Sequence, residues 1–177
     1  MTEQRLAGAR VLVLGASGFF GAWVCRAVEL AGGDVHAVIR NVGNVESLRR
    51  RAPGAVVAIG DLAAPGTIDD LIGRLKPTAV INLIGYGVDR DERDPAAARR
   101  LNAELPEELG MALLRAESAL PPQDGLRFLH VGSAFEYGSV EGAVSEGTAC
   151  RPQSDYAETK LDGTGRLTKL HAEGLPV

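Results

Sequence analysis

The sequence predicts a doubly wound α/β fold, a parallel sheet with helices on both faces. Three observations lead there. Short β-branched apolar runs recur along the 177 residues, each is followed by a stretch of helical spacing, and the alternation is regular enough to demand right-handed crossovers between parallel strands. No internal repeat, low-complexity tract or linker interrupts it, so residues 1–177 read as one domain.

The elements follow in order. Val11-Leu12-Val13-Leu14 is continuously apolar, as a strand buried on both faces should be. Phe20, Val24, Ala27, Val28 and Ala31 repeat at helical spacing, and Gly32-Gly33 ends that helix. Val35–Ile39 is the second strand, Val45–Arg51 a short solvated helix, and Ala55–Ile59 a third strand running into Gly60-Asp61. A helix over Thr67–Leu75 stops before Pro77, and Ala79–Ile84 is the fourth strand. A long helical stretch runs from Pro95 to about Leu120, with a kink or restart at Pro106, because proline breaks a helix interior but is tolerated in a first turn. Leu126–Val131 is the fifth strand, Ser154–Glu173 the last helix, and Leu175-Pro176-Val177 reads as the entry to a further strand.

Directly after the first strand stands Gly15-Ala16-Ser17-Gly18-Phe19-Phe20-Gly21. Glycines there permit a sharp turn, close approach of backbone N–H groups to a pyrophosphate, and tight helix–strand packing, while the helix N-terminus adds partial positive charge. Dinucleotide binding is the chemistry this suits, although the spacing is GxxGxxG and not the commoner GxGxxG. At the end of the second strand an acid accepts the ribose hydroxyls of NAD and an arginine accommodates the extra phosphate of NADP. Arg40-Asn41 occupies that position, which points to NADP, with NAD as the alternative. Asp34 lies at the wrong end of the strand, whereas Asp61 is placed to accept from an adenine amino group.

Tyr156 and Lys160 are four residues apart, on one helix face. A free phenol titrates near ~10, too high for proton transfer at neutrality, and a neighbouring ammonium favours its ionised form. Ser133 ends the fifth strand at the same carboxyl edge, where its hydroxyl can bond a reacting carbonyl or alcohol. Together the three would move a proton while a cofactor moves a hydride.

These features in this order resemble the short-chain dehydrogenase/reductase superfamily, in its extended branch, the NAD-dependent epimerase/dehydratase family. The resemblance rests on the glycine loop, Gly60-Asp61-Leu62, Asn102, the segment Val131–Gly138, and Tyr156 with Lys160. It implies a Rossmann-like fold, with Tyr156 as general acid or base, Lys160 on the nicotinamide ribose, and Ser133 positioning the substrate. It implies that Gly15, Ser17, Gly18, Phe19, Phe20, Gly21, Arg40, Asn41, Asp61 and Leu62 bind the cofactor's phosphates and adenosine half. Leu83, Ile84 and Gly85 would line the nicotinamide half, and Asn102 would support the hydrogen bonds around it.

Departures from the family's pattern narrow the reaction. Dehydratases of this family carry an Asp-Glu pair after the serine position, where this chain has Ala134 and Phe135. Arg40 disfavours the epimerases that retain NAD. An NADP-linked oxidoreductase acting on a carbonyl or alcohol of a small molecule, such as a nucleotide-sugar, is therefore expected. The alternatives are an NAD-dependent nucleotide-sugar epimerase and a non-catalytic dinucleotide-binding protein. Extended members continue beyond the YxxxK helix, so the resemblance implies truncation before a sixth strand and a substrate domain. It also makes a homodimer through the two long helices an option.

Composition sets the remaining bounds. A net charge of −4 and a pI of about 5.4 argue against nucleic acid as a partner. Cys25 and Cys150 show no ligand or disulfide spacing, so no metal is expected and a reducing compartment is. No apolar run is long enough for a leader or a membrane span, which gives a cytoplasmic expectation without membrane contact. His130 reads as a satisfied core histidine, Trp23 as packing, and the mixed charges of residues 89–94 as a solvated loop.

Overall fold

β1 (Arg10–Leu14) lies at the centre of a five-stranded, wholly parallel sheet. It is flanked by β2 (Asp34–Ile39) and β4 (Ala79–Asn82), with β3 (Val56–Ile59) and β5 (Arg127–His130) outside them, giving the order β3-β2-β1-β4-β5. The structure, a computed structural model, describes residues 5–89, 91–117 and 127–177. The expected helix end near Leu120 and strand start at Leu126 fall outside these.

Period-two alternation along β1 feeds two cores. Leu12 and Leu14 point to one face, where they join Val38, Val80, Ile68 and Ile72 of α3 (Thr67–Leu75), Leu109 and Leu113 of α5 (Leu105–Glu117), and Leu167 and Leu170 of α6 (Asp155–Ala172). Val11 and Val13 point to the other, with Ala22, Cys25 and Val28 of α1 (Gly21–Leu30) and Leu48 of α2 (Val45–Arg51). All four β1 residues from Val11 to Leu14 are buried, as the unbroken apolar run required. β3 departs from that pattern: Val56 and Ile59 are each 54% exposed, because it is an edge strand with little covering it.

Pro106 does mark a discontinuity, of a kind the sequence left open. α4 (Pro95–Arg99) passes into a π-helical turn over Arg100–Glu104, where Leu105 N–H donates to the Arg100 carbonyl five residues back, and α5 begins at Leu105. Proline has no N–H to return to the carbonyl four residues before it, so the ladder widens there at low cost. α6 presses against this turn through Gly163, where an added Cβ would run into the Asn102 carbonyl. After α6, Leu175 is fully buried and the Pro176 carbonyl accepts from Phe128 N–H at 3.0 Å, so the chain passes beside β5 there, with no strand formed over residues 175–177. Among the described residues no helix is long and apolar enough to cross a membrane.

Candidate functional site

The order of strands reverses between β1 and β4, and the crevice opens at their carboxyl ends, where ligands of such sheets bind. Gly15 turns the chain with φ +75°, and Gly18 N–H donates to its carbonyl at 3.0 Å. A side chain on Gly15 would stand 3.0 Å from the Leu83 backbone, and one on Gly21 would run into the Gly15 carbonyl. The loop therefore folds back on itself only with glycine at these places. α1 starts with no side-chain cap: Trp23 N–H and Val24 N–H donate to the Phe20 carbonyl at 3.0 Å, and no side chain takes up the N–H groups that open the helix.

The resulting cleft, about 280 Å³, is lined by Gly15, Ser17, Gly18, Arg40, Asp61, Leu62, Leu83, Ile84 and Gly85, nine of the residues expected at the cofactor. Arg40 is exposed and has no hydrogen bond or ion pair among the described residues. Asp61 Oδ1 accepts from Ala63 N–H at 3.0 Å, which shapes the loop after β3. Asn82, fully buried, accepts from Ile84 N–H at 3.1 Å and fixes the turn that closes the cleft's floor.

Other expected residues stand around the cleft without lining it. Phe19 and Phe20 stack edge to face at 5.0 Å and are 85% and 67% exposed. Asn41 caps a short 3-10 turn by accepting from Gly43 N–H. Asn102, in the π-helical turn, grips the cleft wall: Oδ1 accepts from Tyr86 N–H at 2.9 Å, and Nδ2 donates to the Tyr86 carbonyl at 2.8 Å and to Thr159 Oγ1 at 3.0 Å.

Tyr156 and Lys160 arrive from α6, and Ser133, expected to end the fifth strand, lies three residues beyond β5's last residue, His130, where it opens a 3-10 turn. Ser154 caps α6 by accepting from Ala157 N–H, which sets the phase of the Tyr156 and Lys160 face. The Tyr156 ring packs on Gly87, with a contact of 3.5 Å to an added Cβ there, and meets the Phe135 ring edge to face at 6.3 Å. Lys160 is 2% exposed and donates from Nζ to the Val131 carbonyl at 2.7 Å. Burial pulls its ammonium below the usual lysine range, and Glu136 opposes that pull. Ser133 caps a 3-10 turn over Ala134–Tyr137, its Oγ accepting from Phe135 N–H at 3.2 Å while its own N–H donates to Glu136 Oε1 at 2.7 Å.

Several residues were misjudged or missed on sequence alone. Glu92, read with a solvated loop, lines the cleft and accepts from Gly87 N–H at 2.7 Å. Trp23, read as packing, is 60% exposed under the Arg51 guanidinium. His130 is half satisfied: Asn82 Nδ2 donates to its Nδ1 at 3.0 Å, which leaves the proton on a buried Nε2 with no partner among the described residues. Burial, then Lys160, push its pKa down to about 4. Glu136, 6% exposed, received no role, although Ser followed three residues later by Glu is a capping-box signature that locates it. Tyr86 and Thr159 carry no sequence signal for the bonds they make to Asn102.

The family model described as NAD dependent epimerase/dehydratase family matches residues 11–176. A curated relative, dTDP-6-deoxy-L-talose 4-dehydrogenase (NAD(P)(+)) of Kitasatospora kifunensis, is 30% identical over 180 residues, covering 98% of this chain and 51% of the relative. The chain thus spans about half of that relative's length. Among solved structures, the Bordetella bronchiseptica enzyme WbmG in complex with NAD and UDP superposes with a TM-score of 0.75 at 19% identity, over 90% of this chain and 49% of that one. UDP-glucuronic acid 4-epimerase from Bacillus cereus in complex with NAD gives 0.72 at 23%, over 95% and 54%. At these identities the two structures speak for the fold.

Proposed function

Because the chain belongs to the NAD dependent epimerase/dehydratase family, we propose that it forms the cofactor-binding part of an NADP-linked oxidoreductase acting on a carbonyl or alcohol of a nucleotide-sugar. The observation that carries the NADP preference is Arg40, a guanidinium on the rim of the glycine-loop cleft with no protein partner among the described residues. A phosphate on the adenosine ribose supplies a partner that a free hydroxyl does not. In this reading the tight glycine turn brings the start of α1, which no side chain caps, towards the diphosphate.

In this reading Ser17 and Gly18 face the phosphates, Asp61 and Leu62 the adenine, and Leu83, Ile84 and Gly85 the nicotinamide half. Nicotinamide supplies the hydride donor or acceptor. Tyr156 Oη moves the proton to or from the substrate oxygen, Ser133 Oγ turns from its capping bond to position that oxygen, and the Lys160 ammonium one helical turn on holds the ribose. Support for the substrate class comes from the name of the curated relative, a dTDP-6-deoxy-L-talose 4-dehydrogenase.

Titration with NADPH and NADH, followed by calorimetry, tests this. NADPH should bind more tightly, and Arg40→Ala should weaken NADPH by about 10- to 100-fold while leaving NADH unchanged, as expected for one charge-assisted contact. Equal or tighter binding of NADH by the unaltered chain would overturn the NADP assignment in favour of an NAD-using epimerase, the cofactor that both solved structures hold.

A further inference from the structure

The three-residue segment Val131-Gly132-Ser133 is held from two sides by opposite charges. From α6, Lys160 Nζ donates to the Val131 carbonyl at 2.7 Å. From the 3-10 turn, Glu136 Oε1 accepts from Ser133 N–H at 2.7 Å and lies so close to Gly132 that a side chain there would stand 2.9 Å from it. Both side chains are buried, Lys160 at 2% exposure and Glu136 at 6%. An ammonium has three protons to place, and the described residues provide one acceptor for them. A buried cation so poorly solvated needs a counter-charge to stay ionised.

We propose that Glu136 is a positioning residue of the candidate site: its carboxylate fixes the Gly132–Ser133 backbone that presents the Ser133 hydroxyl, and it supplies the counter-charge for the buried Lys160 ammonium. The inference rests on the reading of Lys160 and Ser133 given above for what it means to the reaction, but the electrostatic link is a property of the chain itself. Among the described residues, three titratable groups act on Lys160 or stand beside it. His130 comes from β5 and is neutral at physiological pH, its pKa pushed down to about 4. Glu136 comes from the 3-10 turn, and Tyr156 lies one turn back on α6. Glu136 is thus the negative charge among them, and it acts on Lys160 in the direction that opposes burial.

The test exploits the sequence, which has only Lys76, Lys160 and Lys169. In the chain isotope-labelled at lysine Cε, three NMR signals are followed against pH, with Lys160→Arg assigning the buried one. Glu136→Gln keeps an oxygen for the Ser133 N–H and removes only the charge. The Lys160 midpoint should fall by about one pH unit in that variant, with Lys76 and Lys169 unmoved. An unmoved Lys160 midpoint overturns the proposal. Should the variant not fold, the His130→Gln chain decides, because His130 also titrates in the acid range beside Lys160: its Lys160 signal must still respond there to protonation of a carboxylate, and a flat acid limb overturns the proposal equally. NADPH binding measured alongside separates the two readings, because its absence would count against the cofactor assignment and leave the lysine result standing.

Discussion

Asn102→Ala removes three hydrogen bonds from a fully buried side chain, those to Tyr86 N–H at 2.9 Å, to the Tyr86 carbonyl at 2.8 Å and to Thr159 Oγ1 at 3.0 Å. At about 1 kcal/mol of net stability for each bond, the loss is about 3 kcal/mol. In a domain of this length each kcal/mol lowers Tm by roughly 2 to 4 °C, so the variant should melt roughly 6 to 12 °C below the unaltered chain. Circular dichroism against temperature measures it. Because Tyr86 lines the cleft, NADPH affinity should fall as well. A Tm within about 2 °C of the unaltered value would mean that the buried amide contributes no more than an exposed one.

Two further outcomes are expected. If the proposed function holds, Tyr156→Phe should abolish turnover of a keto-sugar nucleotide while NADPH binding stays near normal, because only the proposed proton-transferring oxygen is lost; comparable turnover would remove Tyr156 from the mechanism. His130, neutral in the fold, has its pKa lowered from 6.5 to about 4. Protons then bind preferentially to the unfolded chain between these values, so stability is full above about 6.5, falls as pH drops towards about 4, and loses up to roughly 3 kcal/mol. Urea unfolding across that window should show the slope, and His130→Gln should flatten it.

What the sequence made legible was local. β1 could be read because an unbroken apolar run has one comfortable home, the middle of a parallel sheet, and α6 because Ser154 precedes its first turn as a cap. Nine of the expected cofactor residues line one cleft, since the loops that carry them follow directly from strand ends. The remainder depended on contacts between distant segments. Glu92 turns inward because the backbone at Gly87 offers it a donor, and the exposure of Trp23 follows from how α1 lies on the sheet, which spacing alone cannot fix. The π-helical turn stands where Pro106 lacks an N–H and where Gly163 of α6, far along the chain, packs against Asn102.

A widened turn is how a helix stores one surplus residue: the stretches on either side keep their facing and the excess is absorbed on the spot. Shortening the chain by one residue within 100–104 would therefore let α4 and α5 stay seated while the amide of Asn102 swung away from Tyr86. Length and grip are uncoupled there, so the helix can be trimmed without collapsing, but only by giving up its hold on the wall of the crevice.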